Sequence, residues 1–189
     1  IDDADAAYYI VSRALASGKA VVSANKKMIA EHLPELLVLQ KKYNVPFLYE
    51  SAACASIPVI RNLEEYYDND LLQGINGIVN GSTNYILTRV FQDKLSFEDA
   101  LLQAQLEGFA ESNPALDVEG IDAVNKLSIL LTHAYGIVSH PSEIIHSGIQ
   151  NLQVHDAVFA KEKGYEIKLI AQAKKLDDGD VAAFVLPQF

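Results

Sequence analysis

The first part of the chain alternates between helical and strand-like hydrophobic patterns. Helical spacing predicts a helix over residues 3–17, and Gly18 lies where helices commonly end. A β-branched run at 19–24 predicts a short buried strand, which is followed by a second helix that ends near Asn44. Another strand-like run covers 45–52. This alternation is typical of a βαβ unit in an open parallel sheet.

From about residue 57 the pattern changes to that of a mixed α+β arrangement. The predicted elements are a helix with Pro58 in its first turn, a strand over 71–81, a helix over 82–92, a helix opened by a capping box at Ser96–Asp99, an apolar helix over 120–135, and a hairpin with its turn at 177–180. The hairpin stops at Phe189 and leaves a sheet edge bare, while the chain starts in a helix with no strand before it. We therefore expect the end of one α/β domain joined to a second mixed domain, with both termini cut.

Composition and charge limit the kinds of molecule that the protein is expected to bind. The formal charge is −10 and no basic cluster offsets it, which argues against nucleic acid. No apolar run approaches the roughly 18–20 residues that span a bilayer, and the acidic start does not resemble a signal peptide. A single cysteine, Cys54, suits a reducing cytoplasm, and we interpret it as a small hydrophobic residue. The histidines show no zinc-ligand spacing. These features predict a cytoplasmic protein that binds a small-molecule substrate.

An acidic segment between two predicted helices carries the clearest chemistry. It contains Glu111, Asp117, Glu119 and Asp122, and such a turn repels itself unless a cation lies among the carboxylates. Lys126 follows Asp122 by four residues, so the two share one helix face. One interpretation is a solvated loop with an ordinary surface pair, worth about 0.3–0.5 kcal/mol. The following helix weakens this interpretation, because it is apolar on most of its circumference and its only charged residues, Asp122 and Lys126, lie near the acidic turn.

The order of residues in this segment resembles a family signature. The pattern is Gly108-Phe-Ala-x-x-Asn-Pro-x-x-Asp-Val-x-Gly-x-Asp-x-x-x-Lys126, and it is similar at every defined position to the homoserine dehydrogenases. Val22-Ser-Ala-Asn-Lys26 and Gly77-Ile-Val-Asn-Gly-Ser-Thr-Asn-Tyr85 resemble two further segments of that family. The resemblance runs over nearly the whole chain.

The resemblance implies the interconversion of L-homoserine and L-aspartate 4-semialdehyde with NAD or NADP, a step of threonine and methionine biosynthesis. It implies Lys126 as the leading acid/base and Lys26 as a second cation near the nicotinamide, with Asn25 beside it in the cofactor site. Glu111 and Asp122 would bind the substrate ammonium, and Asp117 would orient Lys126.

Two further sites follow from the resemblance. The N–H groups at Gly81 and Ser82 open a helix and would hold the substrate carboxylate or a cofactor group, although a simple helix cap explains the same residues. A monovalent cation site would use the Glu50 carboxylate and backbone carbonyl groups, the contributing residues being Glu50, Ala53, Ala55 and Ile57. Cys54-Ala55-Ser56 stands where the family usually has glycines, which puts the geometry of that loop in question.

The resemblance also defines the expected domains. Residues 1–50 would be the C-terminal remnant of a Rossmann-like NAD(P)-binding domain, and 51–189 an incomplete catalytic and dimerisation domain that forms a homodimer. No Gly-x-Gly-x-x-Gly occurs, so the sequence does not discriminate NAD from NADP, and we expect these 189 residues alone to be inactive. The alternatives are a non-catalytic binding or dimerisation module of the same architecture and another two-domain dehydrogenase of amino-acid metabolism.

Overall fold

A computed structural model describes Ile1 and residues 3–189. The helices are α1 (Ala4–Ala16), α2 (Lys26–Tyr43), α3 (Ser51–Cys54), α4 (Val59–Glu65), α5 (Gly81–Gln92), α6 (Phe97–Leu106), α7 (Ala115–Val118), α8 (Ile121–Tyr135) and α9 (Val154–Glu162), with a 3-10 turn at Pro141–Glu143. The strands are β1 (Val21–Val22), β2 (Phe47–Leu48), β3 (Gly74–Gly77), β4 (Ile145–His146), β5 (Lys168–Lys175) and β6 (Val181–Gln188).

These elements form two compact units. Unit 1 comprises residues 1–73 and 125–144, and unit 2 comprises residues 74–124 and 145–189. Helix α8 therefore begins in unit 2 and continues in unit 1 from Asn125. The predicted domain boundary at residue 50 stays a prediction.

Unit 1 contains the βαβ arrangement that the alternating pattern predicts. Strands β1 and β2 pair in parallel, and helix α2 connects them. Pro34 is tolerated inside α2 because the backbone already leaves helical geometry at His32 (φ −128°), so the proline starts a new turn. Helices α1 and α2 pack together and bury Leu15, Met28 and Leu36.

Unit 2 is built on a mixed four-stranded sheet in the order β3-β5-β6-β4. Strand β5 is antiparallel to both β3 and β6, whereas β4 runs parallel to β6. Alternate residues of β5, namely Leu169, Ala171 and Ala173, are buried, as expected for a sheet with one face on the core. Helix α5 lies against this sheet and contributes Ile86 and Leu87 to the core.

The predicted fold class, α/β with a mixed second sheet, is confirmed, and the structure corrects two local predictions. The capping box at Ser96 is only half formed. Ser96 accepts the Asp99 N–H, but the Asp99 carboxylate accepts from the Ser96 hydroxyl instead of its backbone. The helix predicted from Pro58 begins at Val59, with the proline preceding it. None of the helices among the described residues has the length and apolar character needed to cross a membrane.

Candidate functional site

The predicted site residues divide between the two units, and unit 2 holds a pair of carboxylates. The side-chain nitrogen of Asn80 donates to Asp117 Oδ1 at 2.7 Å and to Asp122 Oδ2 at 2.8 Å. Asn80 and Asp122 are 5% and 7% exposed, and Asp117 is half-buried. Two like charges are thus brought together around one neutral donor, away from most of the solvent.

The position of Asn80 is fixed by the start of α5. Its side-chain oxygen accepts the Thr83 N–H at 2.8 Å, which makes Asn80 the N-cap of the helix. Gly81 and Ser82 follow in the first turn, and the Ser82 hydroxyl donates to the Phe109 carbonyl at 2.6 Å. The sequence analysis predicted the helix cap at Gly81 and Ser82, but the capping residue is Asn80. Gly81 and Ser82 are the first two residues of the helix.

A close backbone crossing holds the turn between Asp117 and Asp122. The Ile149 N–H donates to the Val118 carbonyl at 2.7 Å, and Gly148 lies so close that a β-carbon there would be 2.1 Å from the same carbonyl oxygen. Gly120 completes the turn with φ +86°, a value that favours glycine. The separation of the two carboxylates is thus set by backbone contacts as well as by Asn80.

Glu111 also lies in unit 2, where its residue is exposed. The Gln105 side chain donates to the Glu111 backbone carbonyl at 3.0 Å and thereby fixes this part of the loop. The structure therefore brings Asp117 and Asp122 together and places Glu111 at the surface of the same unit.

In unit 1, the predicted cofactor residues lie where two parallel strands end. Asn25 and Lys26 follow β1, Glu50 follows β2, and Val22 is paired with Leu48. The carboxyl ends of parallel strands are the usual place for ligands in open α/β sheets. Asn25 caps α2 by accepting the Met28 N–H at 2.9 Å, which leaves the half-buried Lys26 as the first helical residue. This position suits the anionic dinucleotide that the family resemblance implies.

The loop after β2 contains the predicted cation ligands. Both carboxylate oxygens of Glu50 accept backbone N–H groups at the start of α4, from Ile60 at 2.9 Å and Arg61 at 3.0 Å. A carboxylate accepts up to about four hydrogen bonds, so each oxygen keeps a lone pair for a cation. Ala55 has φ +52°, a conformation that glycine adopts more readily. The loop thus takes a glycine-like backbone at a position where the family usually has glycine, and its oxygen donors fit a hard cation.

Lys126 lies in unit 1 close enough to this loop to act on it electrostatically. Burial raises the pKa of the Cys54 thiol, the charge of Lys126 opposes that rise, and the charge of Glu50 adds to it. Lys126 itself is half-buried on α8. The structure therefore brings Lys126 and Glu50 together around Cys54, and the raised pKa favours the unreactive thiol over a nucleophilic thiolate.

A hydrogen-bonded chain that the sequence did not predict runs next to this loop. His133 Nδ1 lies 2.7 Å from the Glu64 carboxylate, and Nε2 lies 3.0 Å from the Tyr49 hydroxyl. A carboxylate only accepts, so Nδ1 donates to Glu64, while Nε2 and the Tyr49 hydroxyl share the second hydrogen bond. Burial and the nearby charge of Glu64 raise the pKa of Tyr49. This chain of hydrogen bonds connects α4 and α8 to Tyr49, the residue before Glu50.

Asn80 is the other site residue that sequence reasoning missed. It lies within the Gly77–Tyr85 segment, and its place one residue before a helical Gly-Ser-Thr is a usual N-cap signal. The contact with Asp117 spans 37 positions along the chain and cannot be read from local pattern. Among the described residues, no group of three or more His, Cys, Asp or Glu side chains is placed to hold a metal ion.

Comparison with known proteins adds an independent line of evidence. The sequence profile of the homoserine dehydrogenase family matches residues 58–189. The chain is similar to a homoserine dehydrogenase of Helicobacter pylori, with 44% identity over 92% of this chain and 41% of that protein. Among solved structures, it resembles a homoserine dehydrogenase from Thiobacillus denitrificans with a TM-score of 0.92 and 35% identity, over 96% of this chain and 42% of that one.

A third similar protein was solved with a bound cofactor. It is a hyperthermophilic archaeal homoserine dehydrogenase in complex with NADPH, with a TM-score of 0.75 and 30% identity, over 97% of this chain and 52% of that one. The chain thus spans about two fifths to one half of the length of these relatives.

Proposed function

Because the chain belongs to the homoserine dehydrogenase family, we propose that the complete protein interconverts L-homoserine and L-aspartate 4-semialdehyde with NAD or NADP. The observation that carries this proposal is the pair formed by the buried Asp122 and the half-buried Asp117, both hydrogen-bonded to Asn80. Two carboxylates held together are suited to bind an ammonium group. A binding module without catalysis would have no need to keep Lys126 in addition to this pair.

In the proposed mechanism, substrate binding and proton transfer are assigned to different side chains. Asp122 and the exposed Glu111 bind the α-ammonium of homoserine, and Asp117 orients Lys126. The N–H groups of Gly81 and Ser82 at the start of α5 bind the substrate carboxylate. Lys126 follows Asp122 by four residues along α8, accepts the proton of the substrate hydroxyl in oxidation, and returns it to the carbonyl oxygen in reduction.

The cofactor residues are those at the carboxyl ends of β1 and β2. When bound, the nicotinamide dinucleotide accepts the hydride from the alcohol carbon or donates it in the reverse direction. Asn25 and Lys26 hold the dinucleotide at the start of α2, and the charge of Lys26 stabilises the oxygen of the reacting group. Glu50 and the carbonyl groups of Ala53, Ala55 and Ile57 bind a monovalent cation in the loop after β2.

The remaining proposals concern the complete protein. We infer a cytoplasmic enzyme that forms a homodimer through its second domain and serves threonine and methionine biosynthesis. The boundary between its NAD(P)-binding and catalytic domains is proposed at residue 50. Sedimentation of the complete protein tests the dimer, and a sedimentation coefficient for a single subunit would contradict it.

The activity is tested by following homoserine-dependent reduction of NAD and of NADP by absorbance, with the complete protein. Glu111→Gln removes the charge that faces the substrate ammonium but keeps the size of the side chain. We expect the homoserine KM to rise at least about tenfold, because charge-assisted hydrogen bonds are worth about 1.5–3 kcal/mol.

Glu107→Gln is the matched control, since Glu107 is an exposed acid in the same segment that has no assigned role. Its homoserine KM should equal that of the unchanged protein. An unchanged homoserine KM in Glu111→Gln would exclude Glu111 from the ammonium site. A folded complete protein that reduces neither dinucleotide with homoserine would exclude the proposed reaction and favour the binding module.

A further inference from the structure

The Asn80 side chain uses its full set of amide hydrogens and its oxygen in three contacts. Both hydrogens of Nδ2 point to carboxylates, one to Asp117 and one to Asp122, and Oδ1 accepts the Thr83 N–H. The reverse orientation of the amide would set its oxygen against two carboxylates and its NH2 group against an N–H. The contacts therefore determine which way the amide points.

A helix cap alone does not require an amide. Serine, threonine and aspartate all accept the N–H of the first turn and serve as N-caps. In the same unit, Ser96 caps α6 with a hydroxyl and contacts neither carboxylate of the pair. What asparagine adds at position 80 is a pair of donors on the same side chain, and both donors are directed to the carboxylates.

We propose that Asn80 is a positioning residue that holds Asp117 and Asp122 together as a single anionic site. This inference rests on the proposed function insofar as the site binds the substrate ammonium. Without the two donors, the repulsion between the carboxylates is less well compensated, and solvent screens it only in part because Asp122 is buried and Asp117 half-buried. The pair would separate, and the ammonium would lose one of its acceptors. Asn80 thus acts on substrate affinity through the carboxylates and does not touch the transferred atoms.

Two substitutions distinguish the hydrogen bonds that Asn80 donates to the two carboxylates from its role as a helix cap. Asn80→Ser keeps a cap acceptor but removes both donors, and Asn80→Asp keeps the shape and the cap acceptor but adds a third negative charge. In the complete protein, we expect each to raise the homoserine KM at least about tenfold and to lower kcat as well, because a displaced Asp117 no longer orients Lys126. The KM for the dinucleotide should stay unchanged. Ser96→Ala, which removes a cap without touching the carboxylates, is the control and should leave both KM values unchanged.

Thermal unfolding provides a readout that does not depend on activity. Asn80→Asp should unfold at a lower temperature than Asn80→Ser, because it places a third carboxylate against the pair. Asp117→Asn should recover part of that loss in the Asn80→Asp background, since it removes one of three negative charges and supplies a donor to the carboxylate at position 80, but not in the unchanged protein.

The results distinguish this inference from the proposed function. A homoserine KM within about twofold of the unchanged protein in both Asn80 variants would overturn the positioning role even if the enzyme is active. An effect of Asp117→Asn on unfolding temperature that is equal in both backgrounds would overturn the bridge itself. Recovery in the Asn80→Asp background would support the bridge even if the protein had no activity on homoserine.

Discussion

Replacing Gly148 by alanine tests how the turn between Asp117 and Asp122 is held. A β-carbon at position 148 would lie 2.1 Å from the Val118 carbonyl oxygen and 2.5 Å from the Glu119 α-carbon. Both are backbone atoms, so no side-chain rotation relieves the overlap. The segment cannot simply move away, because Ser147 N–H donates to the Val185 carbonyl on the other side at 2.9 Å. The turn must shift instead.

The expected decrease in the free energy of unfolding of Gly148→Ala has two contributions. Moving the turn breaks or weakens the hydrogen bond between Ile149 and Val118, which is worth about 0.5–1.5 kcal/mol. Overpacking of a tight contact adds about 1–3 kcal/mol. We therefore expect Gly148→Ala to lower the free energy of unfolding by about 2–4 kcal/mol. The homoserine KM should rise as well, since the shifted turn carries Asp117.

Urea unfolding of the complete protein measures this change as a lower midpoint with an unchanged slope. Gly77→Ala is the matched control, because no atom lies within 4 Å of a β-carbon built there and its φ is not in the left-handed region. Its unfolding free energy should change by less than about 1 kcal/mol. A Gly148→Ala protein as stable as Gly77→Ala would refute the argument that this crossing fixes the turn.

Two further predictions concern unit 1. Tyr49→Phe removes the hydroxyl that is hydrogen-bonded to His133 and should lower the free energy of unfolding by about 1–2 kcal/mol. Because the folded-state pKa of Tyr49 is raised, its contribution is complete below pH about 10 and is lost as the pH rises further, so the variant should lose less stability than the unchanged protein in alkaline urea titrations. Equal losses of stability at alkaline pH in the variant and the unchanged protein would contradict this role of Tyr49. Leu127→Ala removes a fully buried side chain from α8 and should lower the free energy of unfolding by about 2–5 kcal/mol, whereas Leu106→Ala, at an exposed position, should change it by less than about 0.5 kcal/mol. A similar midpoint for both leucine variants in thermal unfolding would show that α8 is not part of the core.

The long elements could be predicted because local pattern determines them. Helix α8 has a long apolar pattern of helical period between Gly120 and Gly136, and both glycines adopt a positive φ. The β5–β6 hairpin was recognisable from two apolar runs around an Asp-Gly turn. Two short elements, α7 and β4, were missed, since four and two residues without a flanking apolar run do not show a period.

The candidate site was only partly predictable for a similar reason. The acids and Lys126 lie in one contiguous signature and Lys26 in a second short segment, so resemblance identified them as candidates. Sequence reasoning expected a cation among the carboxylates, but it did not anticipate the amide of Asn80, which reaches them from a distant helix start. The contact between Tyr49 and His133 joins residues 84 positions apart and likewise has no local signal. Tertiary contacts of this kind depend on the packing of the fold rather than on sequence spacing.

The central claim is that Lys126 of the complete protein transfers a proton during homoserine oxidation. Turnover of the complete Lys126→Ala protein tests this claim most directly. Homoserine-dependent reduction of NAD and NADP is measured by absorbance beside the unchanged protein and Lys161→Ala, an exposed lysine of α9 with no assigned role. We expect Lys126→Ala to lower kcat by about 10²–10⁴-fold, the usual contribution of a general acid/base, while Lys161→Ala keeps full turnover. Near-normal turnover in a folded Lys126→Ala protein would contradict the account.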